Sequence, residues 1–134
     1  MEGFFTKRVP NLPNDEILIL NDSGDQVARL GLESLLRSVY NIIMRGGGFY
    51  QFGRDGNSER AWICKGEGKL LCISERSWRK FSISDGAEET ASFSKDWLVN
   101  DYAVKVFNDS DLKLVICIVI ALNESEYVGS PVPM

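Results

Sequence analysis

The sequence predicts a mainly β fold: a closed antiparallel β-barrel of short strands around one central hydrophobic helix near the C-terminus. Three observations lead there. Leu112 to Leu122, LKLVICIVIAL, is apolar at every position except Lys113. The chain before it is a series of short β-rich runs punctuated by Asn, Asp and Gly. A strand-turn-strand phrase also recurs, with Leu20, Phe52 and Ile83 spaced 32 and 31 residues apart, the mark of repeated hairpins in a meander.

Residues 1–15 contain Pro10, Asn11, Pro13 and Asn14 and read as an arm ahead of the first strand, with Phe4-Phe5 able to dock on the barrel or on a neighbour. Glu16 to Leu20, the turn cluster Asn21-Asp22-Ser23-Gly24, and Gln26 to Leu30 form the first hairpin. Leu32 to Ser38 is a bulged or helical connection, its leucines also fitting helical spacing, and Val39 to Met44 is a strand closed by Arg45-Gly46-Gly47-Gly48. The second hairpin is Phe49 to Phe52 and Arg60 to Cys64 around Asp55-Gly56, followed by the strand Lys69 to Ser74. The third is Phe81 to Ile83 and Thr90 to Phe93 around Asp85-Gly86, followed by Asp101 to Phe107.

Asn108 to Asp111 supplies acceptors for the free N–H groups of a helix start, which favours a helix over Leu112–Leu122. Its many β-branched residues leave a strand buried on both faces as the alternative. A helix apolar all round must be enclosed by protein, and this run is shorter than the ~18 residues that cross a bilayer. The expected organisation is an arm over 1–15, one domain over 16–127 and a tail over 128–134. Eight to ten short strands closed around the helix would leave no exposed sheet edge.

Composition bounds the function. The chain is 44% hydrophobic and 25% charged, as a globular domain is, and its net charge of -4 gives no global field for nucleic acid. The N-terminus lacks a secretory apolar stretch, so the expected location is cytoplasmic, peripheral to a membrane where lipid is bound. Cys64, Cys72 and Cys117 read as reduced thiols rather than a disulfide framework, with Cys64 and Cys72 loosely facing each other across a hairpin. The sequons at Asn21 and Asn108 are explained by turn and cap chemistry.

With no histidine, Ser-His and Cys-His nucleophilic machinery and the commonest zinc ligand are excluded. Ser77-Trp78-Arg79-Lys80 spells S-x-x-K, but a strand context would not set the lysine beside the serine, and partner motifs are missing. Gly66-x-Gly68-Lys69 lacks the upstream glycine of a phosphate loop and has Leu70 where Ser or Thr binds magnesium. No catalytic residue, metal site or cofactor is expected. An enzyme using Asp96 and Asp101, or Glu88 and Glu89, is the rival from another class.

The candidate ligand-binding residues are Arg76, Trp78, Arg79 and Lys80. An amphipathic Trp among cations suits an anionic lipid surface, at about 1 kcal/mol per basic residue. Lys65 and Lys69 join them if their hairpin folds alongside. The plain alternative is a solvated loop whose Trp packs back on the barrel. Trp62 and Trp97 sit where core or barrel-mouth residues belong.

The segment Ala91 to Tyr127 resembles the C-terminal signature of the LURP-one-related proteins, in the tubby C-terminal-like superfamily with the phospholipid scramblases. The residues that carry the likeness are Ser94-Lys95-x-Trp97, Asp101-Tyr102, the acidic turn Asn108–Asp111, and the helix Leu112–Leu122 closing on Asn123 and Glu124. The resemblance implies a twelve-stranded barrel with a central helix, here in a compact form lacking a hairpin. It also implies a non-enzymatic binding module, since tubby-like domains tether to phosphoinositides. The Pro-rich arm and Cys-rich acylated segment of scramblases are missing. Of their calcium-linked acidic motif only Asp101 and Asp109 correspond, so no calcium site is expected. Anionic membrane phospholipid or a protein is the expected partner, with a protein-interaction or self-associating domain as the alternative.

Overall fold

In a computed structural model of the chain, the residues described are 3–10, 16–34, 39–56, 60–77, 80–86, 88–96, 101–106 and 112–129. They form ten strands in one antiparallel sheet whose spatial order is the chain order, followed by one helix. The strands are β1 (Phe4–Val9), β2 (Glu16–Asn21), β3 (Gln26–Ser34), β4 (Val39–Met44), β5 (Phe49–Arg54), β6 (Ala61–Gly66), β7 (Lys69–Ser77), β8 (Lys80–Asp85), β9 (Glu88–Asp96) and β10 (Asp101–Val106). Every connection is between neighbours, so the sheet is a meander and its turns alternate between two ends.

The recurring phrase corresponds to a recurring unit. Leu20, Phe52 and Ile83 lie on β2, β5 and β8, each the first strand of a triplet (β2–β4, β5–β7, β8–β10). The turn after β2 shows why the phrase needs Asn: Asn21 Oδ1 accepts hydrogen bonds from the amides of Ser23 and Asp25, both at 3.0 Å.

Alternation along the strands sets the core. Ile17 and Ile19 on β2, Tyr40 and Ile42 on β4, Trp62 and Cys64 on β6, and Leu71 and Ile73 on β7 are buried, while their neighbours are more exposed. The helix, α1 (Leu112–Gly129), is 18 residues long and spans about 27 Å. Leu114, Val115, Cys117, Ile118, Val119, Ala121 and Leu122 are all buried and share one cluster with the inward residues of β2 to β9.

The placement of α1 shows that the sheet curls. α1 contacts β3, β4 and β10, and its Glu124 pairs with Arg8 of β1. Laid flat, ten strands at about 4.8 Å would hold β1 and β10 roughly 43 Å apart, several times the width of a helix. β1 and β10 are the outermost strands, with no ladder between them among the described residues.

Several boundaries differ from the sequence reading. Phe4–Val9, expected within an arm, is a strand in full register with β2 from Phe4↔Asn21 to Val9↔Glu16. Phe4 packs on the core and Phe5 is 59% exposed. The prolines that suggested an arm lie beyond the strand, at its end and in the connection to β2. β3 continues through Leu32 to Ser34 with an irregularity there, so this part of the connection is a bulged strand, while residues 35–38 lie outside the described set. β7 reaches Ser77 and β9 spans Glu88–Asp96, because ladder partners extend pairing past the apolar runs. α1 runs to Gly129, seven residues beyond its apolar stretch and into the expected tail. No helix of the described residues is long and apolar enough to cross a membrane.

Candidate functional site

The connections after β5 and β7 emerge at the same end of the sheet, on adjacent hairpins. This brings together Arg54 at the close of β5, Arg60 just before β6, Arg76 near the end of β7 and Lys80 at the start of β8. Three strand intervals separate the outer members, about 14 Å. Arg76 and Lys80 are both exposed. Glu75 pairs with Phe81 and Ser77 with Lys80, leaving Arg76 as the extra residue of a bulge, the geometry that turns two successive side chains toward the same face.

Beneath this rim lies an aromatic stack. Trp62 is tilted against Phe81 with ring centroids 6.0 Å apart, and Phe81 lies nearly parallel to Phe93 at 4.7 Å. The Arg54 guanidinium sits 5.7 Å from the Trp62 ring centroid, a cation–π contact that fixes it at the rim. Arg60 is positioned twice by Glu75: Nε lies 3.8 Å from Oε1, and the Glu75 amide donates to the Arg60 carbonyl at 2.9 Å.

Two of the four sequence-predicted residues, Arg76 and Lys80, are therefore brought together; Trp78 and Arg79 lie outside the described residues, as does Trp97. Lys65 and Lys69 do not join them. They flank the turn at the other end of β7, seven residues or about 23 Å from Arg76. Ser77 and Lys80 face each other across a ladder rather than along a helical turn, so the S-x-x-K reading has no geometric basis. Gly66, Glu67 and Gly68 make a tight hairpin turn with Glu67 at φ 50° and Gly68 at φ 74°. Its Glu67 carboxylate accepts from the Phe49 amide at 2.9 Å.

Cys64 and Cys72 do not face each other. Ile63 pairs with Cys72 and Cys64 with Leu71, which puts the thiols on opposite sides of the sheet, one buried and one exposed. Burial pushes both Cys64 and Cys117 up to about 12, so neither is a thiolate nucleophile near neutrality. Asp96 and Asp101 are ladder partners, and the Glu89 carboxylate accepts from the Ser82 hydroxyl. No group of three metal-ligating side chains occurs among the described residues.

A groove of about 260 Å³ on the outer face is floored by Val39, Gly53 and Ile63 and edged by Gln51 and Lys65. A cavity of about 140 Å³ lies between β1, β2 and α1. Sequence reasoning did not anticipate Arg54 and Arg60 at the rim. Their signal was the hairpin repeat itself, which places the ends of successive units side by side. The Arg8–Glu124 pair, 116 residues apart, has no local signal at all. No protein-family model, curated protein or solved structure matches the chain.

Proposed function

We propose that the protein is a non-catalytic binding module whose Arg54, Arg60, Arg76 and Lys80 rim docks on an anionic phospholipid surface. The observation that carries this reading is the exposed Arg76 and Lys80 on adjacent strands, beside two arginines held by Trp62 and Glu75. A lipid surface rewards several cations on one rigid edge, at about 1 kcal/mol each, and does not require a deep pocket. The reading includes closure of the sheet into a barrel around α1, in the manner of the tubby C-terminal-like proteins that the LURP-one-related signature resembles. Ten strands tilted by about 40° enclose a radius of roughly 10 Å, which is room for a helix. The location it implies is cytoplasmic and peripheral to a membrane.

The test is co-sedimentation with phosphatidylcholine vesicles and with vesicles containing phosphatidylserine or a phosphoinositide. Binding to the anionic vesicles alone, weakened by salt and by Arg76→Glu with Lys80→Glu, is expected. Indifference of the wild type to anionic vesicles at low salt overturns the lipid reading.

A second reading, a protein-interaction or self-associating domain, is favoured by two exposed apolar side chains on the outer face. Phe49 is 45% exposed and Leu70 is 51% exposed. Leu70 pairs with Lys65, which pairs with Gln51, two residues along β5 from Phe49 and on the same face. Light scattering decides it: a mass that rises with concentration and falls on Phe49→Ser with Leu70→Ser supports association, and an unchanging monomer removes self-association.

A further inference from the structure

β1 is exposed on both of its faces. Its partners on β2 fix which side chains are turned to the core: Thr6 pairs with Ile19 and Arg8 with Ile17, and opposed residues of an antiparallel ladder share a face. Ile17 and Ile19 are buried, yet Thr6 is exposed and the Arg8 side chain is 54% exposed. On the outer face Phe5 is 59% exposed, and Lys7, the next residue on that face, is exposed too.

The side of α1 turned to β1 is thinly covered as well. Ile116, Ile120 and Glu124 follow one another at successive helical turns, and Ile120 and Glu124 line the cavity of about 140 Å³ with Thr6, Arg8 and Ile17. Ile116 and Ile120 are only partly buried, whereas Val115, Cys117, Ile118 and Val119 are buried. Among the described residues no strand lies on the free edge of β1. Alternate N–H and C=O groups of that edge point away from β2, a ready template for another strand.

We propose that the free edge of β1 pairs with β1 of a second copy of this chain, antiparallel and centred on Thr6. The sequence FFTKRV is complementary to itself in that register. Phe5 opposes Lys7 on the outer face, Phe4 opposes Arg8 on the inner face, and Thr6 opposes its own copy, so each cation meets an aromatic ring and hydroxyl meets hydroxyl. Only a pairing centred on a residue keeps Phe4, Thr6 and Arg8 of both copies on one face. Centred on Lys7, it would set two like charges against each other; centred on Phe5, it would leave Arg8 beyond the opposing strand. The added strand covers Thr6, Arg8 and the adjoining cavity, so the enclosure of α1 on that side is completed in the dimer. The edge uses no residue of the cationic rim and neither Phe49 nor Leu70.

The experiment is sedimentation velocity of the full chain from micromolar to near-millimolar concentration. A dimer dissociating in the micromolar range is expected, as for a small interface. Phe5→Lys, which sets a lysine against Lys7, should weaken it by about tenfold or more, whereas Phe5→Glu, which sets a carboxylate there, should stay within about threefold of wild type. Overall repulsion predicts the reverse order, because the first change reduces the magnitude of the net charge of -4 and the second increases it. Both replace an exposed side chain, so both should unfold where the wild type does. In a Cys72→Ser background, Thr6→Cys should cross-link with oxidised glutathione, which takes up the two electrons as the two thiols join, while Lys7→Cys, offset from its own copy, should not. A monomer at every concentration, equal losses in Phe5→Lys and Phe5→Glu, or cross-linking of Lys7→Cys as fast as Thr6→Cys would each overturn the assignment. A dimer that dissociates on Phe49→Ser with Leu70→Ser but withstands Phe5→Lys would overturn it in favour of association through the outer face.

Discussion

Replacing Gly66 by alanine should be among the most damaging single-methyl additions to this fold. A Cβ at Gly66 would lie 2.1 Å from the Phe49 carbonyl oxygen and 2.8 Å from Tyr50 Cα. Both are backbone atoms of β5, so no side-chain rotation relieves the clash, and the two strands must separate by about an ångström. Overpacking of that kind costs about 1–3 kcal/mol, occasionally more. The same movement stretches the 2.9 Å bond from the Phe49 amide to Glu67, whose charged acceptor makes it worth about 1.5–3 kcal/mol. A loss of about 2.5–6 kcal/mol follows, lowering the unfolding temperature by roughly 10–25 °C in a chain of this size. Gly68, two residues on, is the internal control: no atom lies within 4 Å of a Cβ there, and only its φ of 74° resists alanine, at about 1 kcal/mol. Urea unfolding of the two variants measures the difference. If Gly66→Ala is no costlier than Gly68→Ala, the close approach of the β6–β7 turn to β5 is wrong.

Other outcomes test separate parts of the structure. Because burial raises Cys64 and Cys117 from 9.0 to about 12, the folded chain keeps protons that the unfolded chain releases. These thiols leave stability unchanged below about pH 9 and lower it between about 9 and 12, by roughly 1.4 kcal/mol per pH unit for each thiol. Equal urea midpoints at about pH 8 and 10.5 would contradict this. Exposed Cys72 should react with a thiol reagent in the native protein, whereas Cys64 and Cys117 should react only after unfolding; three fast thiols would refute the packing. Glu124→Gln should cost about 1 kcal/mol and speed hydrogen exchange in β1 more than in β6, since the pair with Arg8 joins β1 to α1. Exchange unchanged in β1 would show that the ladder to β2 holds it alone.

What was legible in the sequence follows from how local each signal is. The hairpins around Asn21, Asp55, Asp85 and Gly66 were readable because turn residues and alternation act within a few positions. The helix beginning at Leu112 was readable because eleven nearly unbroken apolar residues admit few structures. β1 was missed because both faces of FFTKRV mix polar and apolar residues and the run lies beside prolines; its pairing with β2 supplies a stability that no local pattern shows. α1 overran its apolar stretch because turns beyond Leu122 need not be apolar once the preceding ones are enclosed. At the rim, Arg76 and Lys80 were visible as a charged run, but Arg54 and Arg60 became neighbours only through the strand order. Arg8 and Glu124, beside the cavity between β1, β2 and α1, come from opposite ends of the chain and could be joined only by the curl of the sheet around α1.

Two double variants separate a local docking rim from general charge. Arg76→Glu with Lys80→Glu and Lys65→Glu with Lys69→Glu change net charge by the same four units, one pair at each end of β7. The deciding measurement is co-sedimentation of both with phosphoinositide-containing vesicles at low and physiological salt. At about 1 kcal/mol per basic residue, the first variant should lose most binding at either salt, with the second staying near wild type. Equal losses in the two, or a larger loss in the second, would contradict docking through the Arg54, Arg60, Arg76 and Lys80 rim.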